Sequence, residues 1–144
     1  MDYLRIMRAT RLLAFVDGAA RGNPGPAAAG VVLQDPEGKT LKTLSVALGH
    51  ATNNVAEYAA LVLALQEALL LGAKELKVHT DSELVARQWS GQYKIKDANL
   101  KVLFLLASHL KSGFKKLEVC HVPREQNQLA DDQANRALDS GDLF

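Results

Sequence analysis

Cysteine is nearly absent from this sequence: Cys120 stands alone, inside an apolar run. No disulfide framework and no CxxC-type zinc site can be built within the chain, and a reducing cytoplasm is the setting this favours. Charge of one sign is also lacking. Seventeen Lys and Arg face sixteen Asp and Glu, for a formal net charge of +1, so no polybasic tail announces a nucleic-acid partner and nothing excludes one. Basic residues gather only locally, at Arg5, Arg8 and Arg11, at Arg87, Lys94 and Lys96, and at Lys111, Lys115 and Lys116. Each cluster reads equally well as a solvated face. Long hydrophobic runs are missing too. Arginines recur through residues 1–11, and the greasiest stretch is broken by Glu57, Gln66 and Glu67, which argues against a signal peptide and a membrane partner.

What is present is enough for one core. A chain of 144 residues that is 48% hydrophobic fits a single domain, 1–144, with its core over about 12–140. Residues 12–16 form a short apolar run that ends at Asp17 and Gly18 and leads into Gly22-Asn23-Pro24-Gly25-Pro26, a strand followed by a rigid loop. Residues 29–33 and 40–48 flank the turn Asp35-Pro36-Glu37-Gly38, an antiparallel hairpin. Residues 54–71 hold strong helix formers and stop at Gly72. They are apolar almost all round, which predicts a buried helix. Then come a strand over 76–80, helices over 82–90 and 98–112, a strand over 116–122, and a last helix to about Asp139, before Gly141, with Asn127 as its N-cap. This order predicts an α/β fold, a mixed sheet with helices packed on it, in which the first and fourth strands lie side by side and parallel.

Four carboxylates fall where carboxylates are expensive. Asp17 and Asp81 each end a core strand, the end at which open α/β sheets place ligands. On adjacent strands they would stand roughly 5 Å apart and repel. Glu57 shares its helical stripe with Ala60, Leu61, Ala64, Leu65 and Ala68, so it faces inward. Asp131 lines up with Ala134 and Leu138, whereas Asp132 lines up with Asn135, Arg136 and Asp139 and faces solvent. Each acid singly has a bland explanation as a loop cap or a charge at a helix N-terminus. Four inward acids without cations would together cost several kcal/mol each. Oxygen donors with no Cys or His cluster select magnesium or manganese over zinc, and His50 and His79 lack ligand spacing. His79 alternates onto the strand face of Asp81, where it reads best as a partly satisfied core histidine. Two such ions about 4 Å apart clamp a phosphodiester between an activated water and a stabilised leaving oxygen.

The stretches FVDGAARGNPGPAAAG, TNNVAEYAALVLAL, VHTDSELVARQWSGQYK and HVPREQNQLADDQANRAL resemble, in order and spacing, the type 1 ribonuclease H family, and most closely its compact bacterial and archaeal branch. The resemblance implies a ribonuclease H-like fold, a five-stranded mixed sheet of order 3-2-1-4-5, and a metal site carried by Asp17, Glu57, Asp81 and Asp131. It implies a metal-dependent endonuclease that hydrolyses the RNA strand of RNA/DNA hybrids. The alternative within the same fold is a non-catalytic domain that binds hybrid or double-stranded RNA. By motif position, recognition of RNA 2'-hydroxyls falls to the backbone of residues 20–23 and to Asn53, Asn54 and Glu83, and a DNA-strand phosphate pocket to Asn23 and Thr52. Asn53 and Asn54 serve equally well as an N-cap to the long helix.

Three positions depart from the family pattern. The mobile histidine of the loop before the last helix is missing, and that loop reads Pro123-Arg124-Glu125-Gln126. His121 is an auxiliary candidate that reads better as a structural histidine, and Arg124 is either a phosphate contact or a surface arginine. The basic, tryptophan-bearing handle is absent, which predicts weaker and salt-sensitive hybrid binding. Trp89 reads as core packing before it reads as a DNA-stacking surface. Val55 stands where an arginine is expected near the phosphate pocket, which leaves room for cleavage of double-stranded RNA. A monomer is expected.

Overall fold

The computed structural model describes residues 10–140. The basic residues Arg5 and Arg8, the order of the first residues and the stop at Gly141 lie outside the described residues. Five strands form one sheet of order β3-β2-β1-β4-β5. These are β1 (Arg11–Ala20), β2 (Gly25–Gln34), β3 (Thr40–Ala51), β4 (Glu75–Thr80) and β5 (Lys116–His121). β1 pairs antiparallel with β2 and parallel with β4, β2 antiparallel with β3, and β4 parallel with β5. The helices are α1 (Asn53–Leu70), α2 (Glu83–Trp89), α3 (Ala98–Lys111) and α4 (Gln128–Asp139).

The main core lies between the sheet and α1. Leu12, Ala14 and Val16 of β1 alternate onto the face that meets Tyr58, Leu61, Ala64 and Leu65 of α1, as a period of two against a period of 3.6 requires. α3 packs on the outer side of α1, and α4 covers β1 and β2 on the opposite face of the sheet. α1 is therefore less uniformly buried than its composition predicts. Glu57 and the apolar stripe are buried, but Leu70 at its end is 73% exposed.

The element order agrees with the sequence pattern, and the main differences fall at the site. Asp17 does not end β1. The strand runs on to Ala20 because β2 continues to pair with it, Asp17 opposite Gly30. Only the pairing with β4 stops at Val16, opposite Thr80. The asparagine pair does not cap α1 either. Thr52 is the cap, its Oγ1 accepting from Val55 N–H at 3.2 Å, and Asn53 and Asn54 are the first two helical residues. Asn127 occupies the N-cap position of α4, but its side chain makes no capping bond.

Candidate active site

The wedge that opens where β4 leaves β1 is the geometric origin of the site. Asp81 follows the last residue of β4, and the chain turns there as Ser82 N–H donates to Thr80 Oγ1 at 3.0 Å. Ser82 then caps α2, its Oγ accepting from Val85 N–H. α2 is fixed to α1 by a buried bond from Tyr58 Oη to Gln88 Oε1 at 2.6 Å. Asp81 is thus carried on a short, doubly anchored turn.

Two glycines let helices approach β1 and β2 from opposite faces. A Cβ on Gly18 would stand 2.2 Å from the α1 backbone at Ala56 and Glu57. Without it, α1 lies close enough for Glu57 Oε1 to accept a short bond from Gly18 N–H. A Cβ on Gly30 would stand 2.2 Å from Ala130 O and 2.6 Å from Ala134 N of α4. Gly30 is the partner of Asp17 across the β1–β2 ladder, so this close approach brings α4, and with it Asp131, down onto Asp17.

Asp17, Glu57 and Asp81 each offer a carboxylate oxygen within 4.8 Å of the others. Asp131, half-buried, stands against Asp17 closely enough to hydrogen-bond it but is not part of that three-acid cluster. Its neighbour Asp132 is exposed. Gln128 holds both, its Nε2 donating to Asp132 Oδ1 at 2.8 Å and to Asp131 Oδ2 at 3.3 Å.

The charge balance of the cluster is unfavourable by itself. Burial, then repulsion from Glu57 and Asp81, with further contributions from Asp131, push Asp17 from 3.8 up to about 9. Burial also pushes Glu57 from 4.5 up to about 8, against the Gly18 N–H bond and the Arg124 guanidinium, which favour its charged form. The metal-free site thus holds protons at neutral pH, which a cation would displace. The donor set is all oxygen and anionic, suited to a hard divalent cation.

The cleft is lined by Asp17, Gly18, Ala19, Ala20, Asn53, Glu57, Asp81, Ser82 and Arg124. Of the substrate-binding candidates, Asn53 is therefore in the cleft, and its backbone N–H donates to Asn23 Oδ1 at 3.0 Å, tying the β1–β2 turn to the start of α1. Asn54 is exposed beside it. Thr52 lines an adjoining groove with Pro24, His50, Val55, Asn99 and Val102. Arg124 enters the acid cleft from a one-turn 3-10 segment, Arg124–Gln126, that crosses the strand ends.

The structure does not bring His121 into the cleft. As the last residue of β5 it is exposed and opens with Glu83, Arg87 and Gln92 into a separate groove beside α2. Glu83 is exposed and pairs with Arg87 one helical turn on, at 2.7 Å. His79 is a structural histidine. Its Nδ1 is 3.0 Å from Ala14 O and its ring stacks on Phe15. Trp89 packs edge-on against Phe104, with Lys111 Nζ over its ring.

Sequence reasoning missed Gly30 and the tertiary role of Asn127. A glycine inside a strand signals close backbone approach, a sign that was legible. The Asn127 side chain, which reaches Val16 O over a separation of 111 residues, had no local signal.

The sequence family described as "Reverse transcriptase-like" matches residues 15–137. A ribonuclease HI of Halobacterium salinarum is 42% identical over 132 residues, covering 92% of this chain and 66% of that protein. The crystal structure of the RNase H1 from that archaeon superposes with a TM-score of 0.89, covering 91% of this chain and 99% of the other. A bifunctional protein of Mycobacterium tuberculosis is 45% identical over 125 residues, 86% of this chain. The chain spans only 34% of the length of that mycobacterial protein. LC11-RNase H1, whose crystal structure holds an RNA/DNA hybrid, is 44% identical with a TM-score of 0.85, covering 90% of this chain and 97% of its own.

Proposed function

The chain belongs to the type 1 ribonuclease H family, and on that premise we propose that it is an endonuclease. It hydrolyses the RNA strand of RNA/DNA hybrids with divalent metal ions and leaves 5'-phosphate and 3'-hydroxyl ends. The observation that carries this reading is the convergence of Asp17, Glu57 and Asp81 within 4.8 Å, two of them, Asp17 and Glu57, pushed well above the usual carboxylate range by burial first and then by repulsion from neighbouring acids, Asp81 in both cases. A purely structural module has no use for that arrangement.

Asp17, Glu57, Asp81 and Asp131 would hold magnesium or manganese, two ions with substrate in place. Bound there, the metal supplies activation of the attacking water and stabilisation of charge on the leaving oxygen. Glu57 keeps one oxygen on Gly18 N–H, which fixes the carboxylate and leaves its other oxygen for ligand. Asn53 lines the acid cleft, where it would meet an RNA sugar, and Asn54 and the backbone of residues 20–23 would extend that contact to neighbouring 2'-hydroxyls, the group that separates RNA from DNA. Glu83, which opens into the groove beside α2 and pairs with Arg87, would meet a nucleotide further along the strand. Thr52 lines the groove that would take a phosphate of the DNA strand, and Asn23, next in sequence to Pro24 of that groove and bonded to Asn53 N–H, would stand at its edge. Arg124, a fixed cation at the cleft wall, contacts the phosphate being cut or released, in place of a loop histidine. His121 stays outside this path.

Residues 12–140 act as one ribonuclease H domain, monomeric, in the reducing cytoplasm that a lone free cysteine suits. Among the described residues no helix is long and apolar enough to cross a membrane. With Val55 at the phosphate groove, double-stranded RNA is a secondary substrate to test.

The test is cleavage of end-labelled RNA/DNA hybrid, double-stranded RNA, single-stranded RNA and double-stranded DNA with magnesium or manganese, with Asp81→Asn as control. Internal cuts in the RNA of the hybrid that vanish in the variant are expected. Hybrid that is bound but uncut with either metal would replace this reading with a non-catalytic binding domain.

A further inference from the structure

We infer that Asn127 is a positioning residue that sets the placement of Asp131 relative to Asp17, and thereby the metal affinity of the site. The inference rests on the nuclease reading for its consequence in catalysis, but its structural content is independent of substrate.

Asn127 is fully buried, at 0% exposure. Its Nδ2 donates to Val16 O at 2.8 Å, the carbonyl immediately before Asp17 and the last β1 residue paired with β4. Its backbone O accepts from Asp131 N–H at 3.1 Å, the first turn of α4. One residue therefore touches the peptide that carries Asp17 and the peptide that carries Asp131. The strand and the helix come from opposite ends of the sequence, and α4 also rests on β1, β2 and β3, through Ala19 and Ala28 against Ala137 and Leu138, through Gly30, and through the bond from Ser45 Oγ to Gln133 O. Of these contacts the Asn127 bond is the one made to the peptide next to Asp17.

The bond has a counterpart across the wedge. Where the pairing with β4 stops, two β1 groups are met by side chains: Gly18 N–H by Glu57 and Val16 C=O by Asn127. Two of the elements that deliver carboxylates, α1 and α4, are thus hooked to the same short piece of β1 on either side of Asp17.

Stability alone does not account for the choice of asparagine. Its Oδ1 is buried with no hydrogen-bond partner among the described residues, and an unsatisfied buried amide oxygen costs about 1–3 kcal/mol. Capping does not account for it either, since the side chain makes no bond to the α4 amides. What remains is the reach to Val16 and the fixed distance it imposes between two acids that repel.

The experiment is a double-mutant cycle of Asn127→Leu with Asp131→Asn, read by calorimetric binding of manganese and of magnesium and by hybrid cleavage. Alone, Asn127→Leu should keep a cooperative melt and lose about 10- to 100-fold in metal affinity, the range found when groups that orient metal ligands are removed. In the Asp131→Asn background it should cost less than about 3-fold, because the ligand it places is already gone. Equal losses in both backgrounds, or metal binding by Asn127→Leu at the wild-type level, would overturn the inference. If Asn127→Leu does not fold, Asn127→Ser, which keeps the backbone bond and loses the reach, goes through the same cycle, and failure of both to fold assigns Asn127 to stability alone. Wild-type protein that binds metal but does not cut hybrid would remove the nuclease reading and leave the metal cycle as the test of Asn127.

Discussion

Replacing Asp17 by asparagine in metal-free protein should make the fold more stable while destroying the site. Asp17 is 6% exposed, and burial together with Glu57, Asp81 and Asp131 pushes its carboxyl up to about 9. At neutral pH the folded protein therefore holds a proton that the unfolded chain, with its ordinary value of 3.8, has released. At about 1.4 kcal/mol per pKa unit, holding that proton at neutral pH costs the fold on the order of 4 kcal/mol. Asparagine has nearly the same shape, buries no charge and holds no titrating proton. Rearrangement of the neighbouring acids and water entry already relieve part of the cost in the wild type, so the expected gain is about 1–3 kcal/mol, or roughly 3–10 °C in Tm for a chain of this size. The assay is thermal melting by circular dichroism at neutral pH, first with chelator and then with excess magnesium or manganese. Asp17→Asn should melt above wild type with chelator, and added metal should raise the wild type and hardly move the variant. A metal-free variant that melts below wild type would refute the reasoning, since Asp17 would then be a carboxylate stabilised by its surroundings rather than strained by them.

Four further outcomes follow from the same geometry. Both raised acids bind protons in the folded state that the unfolded chain has lost, so the metal-free fold should lose stability as pH rises from their ordinary values, 3.8 and 4.5, through about 8 and 9; denaturant midpoints across that range check the sign. Metal binding should release protons near neutral pH and tighten as pH rises, which calorimetry in two buffers of different ionisation enthalpy would show. Gly30→Ala sets a methyl against the α4 backbone at 2.2 Å, so α4 must shift; we expect a loss of about 1–3 kcal/mol in chemical denaturation and weaker metal binding through displacement of Asp131. Arg124→Ala removes a cation that favours ionised Glu57, so the rising limb of the pH–rate profile should move to higher pH, and an unmoved profile would place Arg124 outside the electrostatics of the site.

Much of this protein was determined by sequence alone, wherever the signal is periodic or local. The inward acids could be found because a helix repeats every 3.6 residues: Glu57 had to share the stripe of Ala60, Leu61 and Ala64, and Asp131 rather than Asp132 had to face the sheet. The Gly-Pro-rich loop after Asp17 and the stops at Gly72, Gly91 and Gly113 placed the elements, because those residues punctuate a chain whatever surrounds them. Tertiary structure decided what depends on two distant segments meeting. Asp17 lies inside its strand because β2 goes on pairing after β4 has left, and no pattern within residues 12–20 encodes the length of a neighbour. Thr52 caps α1 in preference to the two asparagines that follow it, and Asn23, thirty residues earlier, takes the Asn53 N–H instead. Arg124 turns into the acid cleft while His121, three residues before it, opens into another groove, a choice made by how the 3-10 turn crosses the strand ends. Asn127 is the clearest case. Its type and position suit a helix cap, but the carbonyl it bonds is supplied by β1 only after the sheet and α4 have packed together.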